Sequence, residues 1–587
     1  MWRREVYTSS MSRAGYSKLS NRFFYTPALA YLLAFGVFPL ILSVYFSSPN
    51  TRFSSYVALF EFPQLPIVIR NTLIFSFGTA GFATLLGLVL AVFADSLKRG
   101  GRLTSILVYL PFTVPFTASA LIWTTIYDPI FGPANYLASL VGLPKLNWLG
   151  QPSLQIYSTT IVSVWSSVPL AFLLILAGLR SVPKSVKEAA KMDGMGLGEY
   201  YINIGLPLSR GSILTGFLLT LILAFGNFDL PYILNSGYSY SMATLPFLVW
   251  FEIFYQNLVA QGLAAGVLLT AIVSVFSYAL VRLTFNPKPS KIRGKVALRG
   301  VRRAFSRVFM PTTYALSILT ILFLVFPIYW MLLIAFRPGS LNFVYPPIMY
   351  PKVFNPATFL TTLRGSEPYV ITTLVVSLCV VVLTVLMAAP AAFSVARQNK
   401  RWLLLMCIYL YGLPSTSYVF GVYTIIYHAH LLNTWLGLIL TYPLFTLPFA
   451  VWTLTNFYST LPKHYEEASL IDGYTPIKSF YRVVMPLARP GLFATALLSF
   501  IFSWHLLLFP LVLSETPYQY NFPPTGSFTV TNFATLFDPQ SLGSTVTANV
   551  WGQVGSAGII LAVPVMIIAV LAQDYLLKGL YSGGTRE

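Results

Sequence analysis

The sequence predicts an all-α polytopic membrane protein of about 12 transmembrane helices, arranged as two parallel six-helix halves. Three observations lead to this fold class: the composition, a series of long apolar runs and an internal repeat. Of the 587 residues, 56% are hydrophobic and 9% are charged, and the mean hydropathy is +0.71. A soluble globular protein carries about a quarter charged residues, so most of this chain must lie away from water.

Twelve apolar runs have the length needed to cross a membrane, which is about 20 residues of helix. Helices are expected because backbone polar groups in lipid must be satisfied within one segment, and because runs such as 371–395 lack the alternation of barrel strands. The first run follows a long basic segment and is too long for a cleavable signal peptide. The predicted spans are 26–47, 69–95, 104–127, 157–180, 211–235, 262–284, 311–336, 369–397, 402–427, 432–457, 491–514 and 553–577.

The lysines and arginines predict how these spans are oriented. With the N-terminus in the cytoplasm, 31 of the 37 cations fall in inner segments. This positive-inside bias predicts a multi-pass protein of the cell (plasma) membrane with cytoplasmic N- and C-termini. The cations are spread over every inner loop, so nucleic-acid binding is a poor explanation of the net charge of +20. Cys379 and Cys407 lie in predicted spans, where packing is expected rather than a disulfide or metal pair.

An internal repeat divides the chain into a first half at 1–285, a basic cytoplasmic linker at 286–309 and a second half at 310–587. The stretch around the linker carries nine cations and no acid, and is expected to be a flexible coil. The inner loop at 182–211 matches the one at 461–491 with a constant shift of 279 residues. Each half has an even number of spans, so both copies have the same orientation and both loops face the cytoplasm.

Each repeated loop predicts a short helix, a bend and a second short helix that runs towards the next span. A proline suited to a first helical turn precedes each Glu-Ala-Ala or Glu-Ala-Ser core, and that core favours helix. Gly194 and Gly473 permit a backbone turn, and Pro207 and Pro486 discourage a continuous helix. A loop of this form on the cytoplasmic surface can transmit the movement of a partner protein to the spans.

The spacing Glu-Ala-Ala-x-x-Asp-Gly, followed by nine residues and Ile/Val-x-Leu/Met-Pro, resembles the EAA loop of binding-protein-dependent ABC import permeases. In that family the loop is the coupling helix that docks into a cleft of the ATP-binding subunit. Ser469 stands where the family has its second alanine, a change from one small residue to another. The resemblance assigns ATPase coupling to Glu188, Ala189, Ala190, Asp193, Gly194 and Pro207, and to Glu467, Ala468, Asp472, Gly473 and Pro486.

Further segments resemble the carbohydrate-uptake branch of that family, typified by the maltose permeases. The Asp-Gly pairs at 193–194 and 472–473 have the form of that branch, and 131–150 and 430–440 are similar to its outer loops. The tail at 551–584 is similar to the end of its second subunit. The resemblance thus covers nearly the whole chain, as a first permease subunit fused to a second, and implies alternating-access import of a sugar or oligosaccharide.

The resemblance also implies partners. The motif G-x-x-x-x-G-K-[ST] is absent from the sequence, so the chain is expected to hold no cofactor of its own, with ATP and Mg bound by the ATPase. Two copies of an ABC ATPase subunit are expected, one for each loop, together with an extracytoplasmic solute-binding protein, here a sugar-binding protein, on the outer face. The chain itself is expected to be a transport permease and not an enzyme.

Polar and aromatic residues deep in two spans are candidates for the substrate site, because polar side chains are costly in lipid. Asn227 lies 16 residues past Gly211, which is about 24 Å along a helix and past the midplane. In the maltose-type family this segment of the first subunit lines the sugar site. Interhelical hydrogen bonding, or anchoring at the interface for Asp229, is the alternative. The candidates are Gly226, Asn227, Asp229, Tyr232, Trp504 and His505.

Two rival functions stay open from the residues alone. The same architecture could carry iron, thiamine, a polyamine or another solute. An ion-coupled secondary transporter would need intramembrane carboxylates, and Asp229 is the one convincing candidate. His428 and His430 have no neighbouring carboxylate or thiol in the sequence, so no metal site is expected there, and no arrangement of nucleophile and base suggests catalysis.

Overall fold

The computed structural model describes residues 18–48, 53–97, 101–235, 239–285, 299–398, 400–514, 529, 531 and 549–581. Within these ranges the chain is helical, without a strand, and it has eight helices long and apolar enough to cross a membrane. Three further pairs pass the same test when each bent pair is taken together. The all-α polytopic fold predicted from the sequence is confirmed.

The first half contains helices over each predicted span. They are Lys18–Tyr31, Phe38–Phe46, Ser54–Glu61, Leu65–Ser96, Gly101–Tyr109, Phe116–Ile126, Pro133–Leu140, Pro152–Arg180, Lys184–Met192, Leu197–Tyr200, Leu206–Leu208, Arg210–Phe225, Asp229–Leu234, Leu245–Trp250 and Val259–Phe285, with π-helical turns at Leu32–Val37, Tyr201–Gly205 and Phe251–Tyr255. We number the spans 1 to 6: Lys18–Phe46, Leu65–Ser96, Gly101–Ile126, Pro152–Arg180, Arg210–Leu234 and Val259–Phe285.

The second half repeats this order. Its helices are Arg299–Ala335, Ala357–Gln398, Arg401–Gly412, Val419–His428, Trp435–Thr441, Pro443–Thr460, His464–Ile471, Pro476–Ser479, Met485–Leu487, Arg489–His505, Leu508–Leu513 and Val550–Tyr581, with a π-helical turn at Phe480–Val484. Spans 7 to 12 are Arg299–Ala335, Ala357–Gln398, Arg401–His428, Trp435–Thr460, Arg489–Leu513 and Val550–Tyr581.

The linker differs from the expected coil where the structure describes it. The helix of span 7 begins at Arg299, inside the predicted linker 286–309, so residues 299–309 are helical. Apolar residues at 301, 304, 305, 308 and 309 recur with the spacing of one helical face, which explains why the helix extends this far. Residues 286–298 lie outside the described part.

Spans 3 and 9 are interrupted, although each was predicted as one continuous helix. In span 3 the two pieces meet at a 93° bend, after a short 3₁₀ turn at Leu110–Thr113. In span 9 the helix stops at Gly412 and resumes at Val419, across Pro414. Proline lacks an amide donor and disfavours helix in the residue before it, so Pro111, Pro115 and Pro414 were the available signal for both breaks.

The first span of each half packs against the other half. Phe24 of span 1 lies 5.4 Å from Phe393 and 5.3 Å from Phe480, measured between ring centroids. Trp330 of span 7 donates a hydrogen bond from Nε1 to Thr125 Oγ1 in span 3, at 3.0 Å. The buried apolar residues of the described part form two clusters, and each cluster contains residues of both halves.

A further short helix at Leu245–Trp250, continued as a π-helical turn to Tyr255, was not predicted. Span 2 holds the segment that leads into it: the Asn71 amide donates to the carbonyls of Tyr240, Ser241 and Ala243. Thr72 Oγ1 accepts from the amide of Leu245 at 2.8 Å. These bonds satisfy backbone groups that would otherwise be buried unpaired.

Candidate coupling loops and transport pathway

The two repeated loops have the same backbone. The helices Lys184–Met192 and His464–Ile471, which we call the first and second loop helices, end at glycines with φ of 73° and 84°. Met195 N donates to Ala190 O at 3.0 Å, and Tyr474 N donates to Ser469 O at 3.0 Å. These bonds are typical of an α-helix that ends at a residue in the left-handed backbone conformation, which explains why glycine stands at 194 and 473.

A second helical segment follows in each loop and turns into the next span. It runs over Leu197–Leu208 in the first copy and Pro476–Leu487 in the second, and it bends by 65° and 79° at the following span. The π-helical turns Tyr201–Gly205 and Phe480–Val484 occupy equivalent positions, 279 residues apart. The bend falls two residues after Pro207 and after Pro486, as the expected helix–bend–helix requires.

Each loop helix has one exposed face, and the repeat places equivalent residues on it. Met192 is 88% exposed and Ile471, at the equivalent position, is 86% exposed. Glu188, Ala189 and Asp193 are exposed beside Met192, and Glu467, Ala468 and Asp472 are exposed beside Ile471. A large apolar side chain flanked by carboxylates and small residues, left open to solvent twice, is typical of a protein interface.

The opposite face of each loop helix is buried, and there the copies differ. Ala190 is buried in the first copy; Ser469 replaces it in the second and shares a 2.5 Å hydrogen bond with the hydroxyl of Ser479. Position 479 is equivalent to Tyr200, so two changes occur together. The departure of Ser469 from the expected alanine therefore lies in the buried contact and not on the exposed face.

An ion pair fixes the first loop helix to span 2. Lys187 Nζ lies 3.1 Å from Asp95 Oδ2, at the C-terminal end of that span, and the side chains are 40% and 13% exposed. The Tyr201 hydroxyl donates to the same carboxylate oxygen at 2.7 Å. Asp95 thus connects span 2 to both helical segments of the first loop.

A second ion pair fixes the second loop helix to span 8, with the charges reversed. Arg397 Nε lies 3.0 Å from Glu466 Oε2, and both side chains are 7% exposed. Arg397 also donates from Nη2 to the carbonyl of Leu461 at 2.9 Å. Burial raises the pKa of Glu466 to about 7, and repulsion by Glu467 acts in the same direction.

None of these four charged residues was singled out from the sequence. The signal was the 279-residue shift, which aligns Lys187 with Glu466, a charge reversal inside an otherwise matching loop. The partners on spans 2 and 8 could not be found in that way, because the early spans of the two halves align with a different shift.

The predicted substrate residues lie at breaks in spans 5 and 11, and each break faces an interrupted span of the other half. Span 5 is broken at residues 226–228 and span 11 at 506–507. A Cβ placed on Gly226 would lie 3.5 Å from Pro414 Cα in the break of span 9. His505 lies beside the backbone of Thr113 in the break of span 3. The breaks of the two halves thus meet in two pairs, span 5 with span 9 and span 11 with span 3.

In span 5 the candidate side chains have structural contacts. Asn227 is buried and its Oδ1 accepts from the amide of Leu230 at 3.1 Å, which caps the helix Asp229–Leu234. Asp229 stands in the first turn of that helix, where the helix dipole favours an acid. Tyr232 lies between Phe228 and Trp250, at centroid distances of 4.9 Å and 4.8 Å.

In span 11 the two candidates differ. Trp504 is buried and its Nε1 donates to the carbonyl of Leu561 at 3.0 Å, so this donor is occupied within the protein. His505 Nε2 is buried and has no hydrogen-bond partner among the described residues. Thr220 and Ser499, at equivalent positions of spans 5 and 11, have buried hydroxyls that likewise find no partner in the described part. Sequence reasoning missed these two hydroxyls.

A cavity of about 310 Å³ lies at the C-terminal end of span 3 and the N-terminal end of span 12 and was also not predicted. Tyr127, Asp128 and Asn147 of the first half and Trp551 of the second line it. Both halves therefore contribute aromatic walls to it, with a carboxylate and an amide from the first. Its volume is at the lower end of the range of about 300–1,000 Å³ found for small-molecule sites.

Two like-oriented helical halves with a repeated inner loop and broken helices between them define a tandem membrane permease. The chain belongs to the family described as binding-protein-dependent transport system inner membrane component, which it matches twice, over residues 83–286 and 381–580. It is therefore the permease of an ABC importer, with both permease units in one polypeptide. A solute-binding protein and ATPase subunits are the partners that this type of system requires, and ATP hydrolysis belongs to the ATPase.

Similar proteins each align with about half of the chain and with nearly all of their own length. The diacetylchitobiose uptake system permease protein DasC of Streptomyces coelicolor is 29% identical over 290 residues, covering 49% of this chain and 99% of DasC. The trehalose/maltose transport system permease protein MalG of Thermococcus litoralis is 30% identical over 275 residues, covering 46% and 94%. The MalF protein of that organism is 28% identical over 267 residues, covering 44% and 90%.

Among solved structures, a bacterial alginate ABC transporter, crystallised with a periplasmic protein that binds an alginate pentasaccharide, aligns at a TM-score of 0.41 and 20% identity. The alignment covers 45% of this chain and 94% of that one.

Proposed function

We propose that this permease imports a sugar or oligosaccharide, and that two copies of an ABC ATPase subunit drive it, one at each loop helix. The observation that carries the proposal is the duplicated exposed face, with Met192 and Ile471 projecting beside Glu188 and Glu467. The apolar side chain would enter a cleft of the ATPase, and the carboxylate would pair with a basic residue at its rim. Two equivalent faces on the inner surface suit two copies of one partner.

The orientation follows from the same assignment. The loops must face the ATP-containing side, so both termini lie in the cytoplasm, in agreement with the positive-inside bias of the sequence. The cell (plasma) membrane is the expected location. The outer ends of the halves would receive the solute-binding protein, and the broken spans would form the path between them.

Sugar as the cargo is supported by the relatives and by the chemistry of the pathway. The similar permeases named above serve diacetylchitobiose and trehalose/maltose systems. A neutral sugar needs hydrogen-bonding groups without charge, together with aromatic faces for its apolar surfaces. The hydroxyls of Thr220 and Ser499 and the ring nitrogen of His505 supply the first, and Tyr232 supplies the second.

Transport would proceed by alternating access. When the ATPases close on ATP, they would bring the two loop helices together and turn the halves from inward-open to outward-open. The binding protein would then release its sugar into the opening, and hydrolysis would return the halves to the inward-open state. Because spans 1 and 7 are exchanged between the halves, the halves would stay in contact during this motion.

The coupling role is tested with Glu188→Lys and Glu467→Lys in one chain. We expect uptake to fall by about tenfold or more and the ATPase to co-purify less, because the new cation repels the basic rim. Glu61→Lys, a change of the same charge at an exposed position of the first outer segment, is the matched control and should leave uptake unchanged. Full uptake by the double variant would remove the coupling role.

The cargo is tested separately, with the cognate binding protein. A screen of oligosaccharides, monosaccharides, ferric complexes, thiamine and polyamines should give saturable binding for a carbohydrate, and that carbohydrate should accumulate in vesicles that contain the whole system. Binding of a cation or metal complex alone would overturn the sugar assignment and leave the permease architecture intact.

A further inference from the structure

The two ion pairs at the inner ends of spans 2 and 8 have opposite polarity at equivalent places in the fold. In the first half the acid, Asp95, is on the span and the base, Lys187, is on the loop helix. In the second half the base, Arg397, is on the span and the acid, Glu466, is on the loop helix. Both contacts are close, at 3.1 Å and 3.0 Å. The reversal therefore keeps the ion pair and changes only which partner, the span or the loop helix, carries the positive charge.

The surroundings change together with the charges. Tyr201 donates its hydroxyl to Asp95, whereas the equivalent residue, Phe480, has no hydroxyl to offer to a guanidinium. Phe480 instead packs on Phe393 of span 8 at 4.9 Å. Arg397 uses its additional donors on the Leu461 carbonyl. The residues around each ion pair therefore suit its own arrangement of charges and would disfavour the reversed arrangement.

Each loop also contacts the exchanged span of the other half. The ring of Phe480 in the second loop lies 5.3 Å from Phe24 of span 1. In the first loop, the segment Leu197–Tyr200 packs along span 7, and Ser96 of span 2, beside Asp95, donates a hydrogen bond to the Tyr314 hydroxyl of that span. The second helical segment of each loop thus lies between the two halves, and close packing alone does not determine which of them the loop follows when it is pushed.

We infer that Asp95–Lys187 and Arg397–Glu466 are positioning elements that determine which half each loop helix moves. The correct pairs attract. If a loop helix met the span of the other half, Lys187 would face Arg397 and Glu466 would face Asp95, and like charges would oppose the contact. Displacement of the first loop helix is therefore passed to span 2, and displacement of the second to span 8.

This inference rests on the proposed coupling of the loops to an ATPase, and the experiment separates the two. The complex is reconstituted with its ATPase and binding protein, and three quantities are measured: ATPase co-purification, ATP hydrolysed, and solute taken up. The first variants remove one charge while keeping the size, with Asp95→Asn and Lys187→Met. We expect ATPase binding and hydrolysis to persist and the uptake per ATP to fall by about fivefold or more, the scale of coupling between distant sites.

A second set of variants reverses the polarity of the first ion pair. Asp95→Arg alone places two cations together and should uncouple more strongly than Asp95→Asn. Asp95→Arg combined with Lys187→Glu and Tyr201→Phe copies the residues of the second half, and uptake per ATP should return to within about twofold of wild type. If a single variant folds poorly, the triple variant still tests the inference, because it restores the attraction with other residues.

The outcomes are distinct. Wild-type uptake per ATP in Asp95→Asn and Asp95→Arg, or an uncoupled but folded triple variant, would overturn the inference and leave the ATPase coupling of the loops intact. Loss of ATPase co-purification in the Glu188 and Glu467 variants tests the proposed function alone. If those variants keep full uptake, the proposed function fails regardless of the ion pairs.

Discussion

The first and second loop helices have the same backbone and the same exposed face, but they are attached to their halves differently. The first attachment lies near water, since Lys187 is 40% exposed, and it includes a tyrosine hydroxyl. The second is enclosed, with Arg397 and Glu466 each 7% exposed. Solvent screens the attraction within the first pair, whereas both charges of the second pair are desolvated. The repeat thus preserves the exposed face that a partner would contact, and varies the ion pair that holds each loop helix to its half.

The largest difference between the halves is expected from removing the buried cation. Arg397→Ala leaves Glu466 without its partner in a buried site, and we expect a loss of about 3–5 kcal/mol in the free energy of unfolding. Lys187→Ala in the first half should cost about 0–1 kcal/mol, because that pair is partly exposed and Asp95 keeps the hydrogen bond from the Tyr201 hydroxyl. Thermal unfolding in detergent measures both. Equal losses would show that the two attachments have similar strength despite their burial.

The next effect concerns the buried serine pair. Ser469→Ala leaves the Ser479 hydroxyl buried without the partner that it has at 2.5 Å, and should destabilise the second half by about 1–3 kcal/mol. The double change Ser469→Ala with Ser479→Ala should recover most of this loss. If the double variant is no more stable than the single one, the hydrogen bond is not what the second copy gains from serine at 469.

A smaller and equal effect is expected where the loops are alike. Gly194→Ala and Gly473→Ala force a side chain into a backbone with φ of 73° and 84°, at a cost of about 1–2 kcal/mol. A Cβ meets no atom within 4 Å at either position, so the cost is conformational and should be the same in both halves. Unequal losses would show that the two turns are not equivalent in solution.

A last effect separates the halves by pH. Burial raises the pKa of Glu466 from 4.5 to about 7, so the folded chain holds this proton more tightly than the unfolded chain. The stabilisation is fully present below the unfolded pKa and is lost as the pH rises through the folded one. Relative to Glu466→Gln, the melting temperature of the wild type should fall between about pH 5 and about pH 8. A difference that stays constant across this range would mean that Arg397 keeps Glu466 ionised throughout, and would contradict the raised pKa.

The sequence was sufficient for features that depend on local chemistry. The apolar runs placed most span ends within about five residues, because length and hydropathy decide which segments enter lipid. The helices of spans 1, 7 and 8 begin earlier than predicted, at Lys18, Arg299 and Ala357. The repeated loop was predicted with its turn, because glycine at 194 and 473 and proline at 207 and 486 restrict the backbone directly.

Features that depend on contacts between distant segments could not be obtained in this way. The exchange of spans 1 and 7 between the halves, and the choice of Asp95 and Arg397 as partners, arise from packing that no short window of sequence contains. The breaks in spans 3 and 9 lie between these cases. Their prolines were visible, but a proline can either kink a membrane helix or end it.

The central claim is that the two loop helices transmit work from a separate ATPase to the spans, and reconstitution tests it most directly. Proteoliposomes containing this chain, its ATPase and its binding protein should accumulate labelled solute with ATP inside, and should stop when a nucleotide that cannot be hydrolysed replaces ATP. Vesicles containing the chain alone should accumulate none. Accumulation by the chain alone, with no ATP consumed, would contradict the claim.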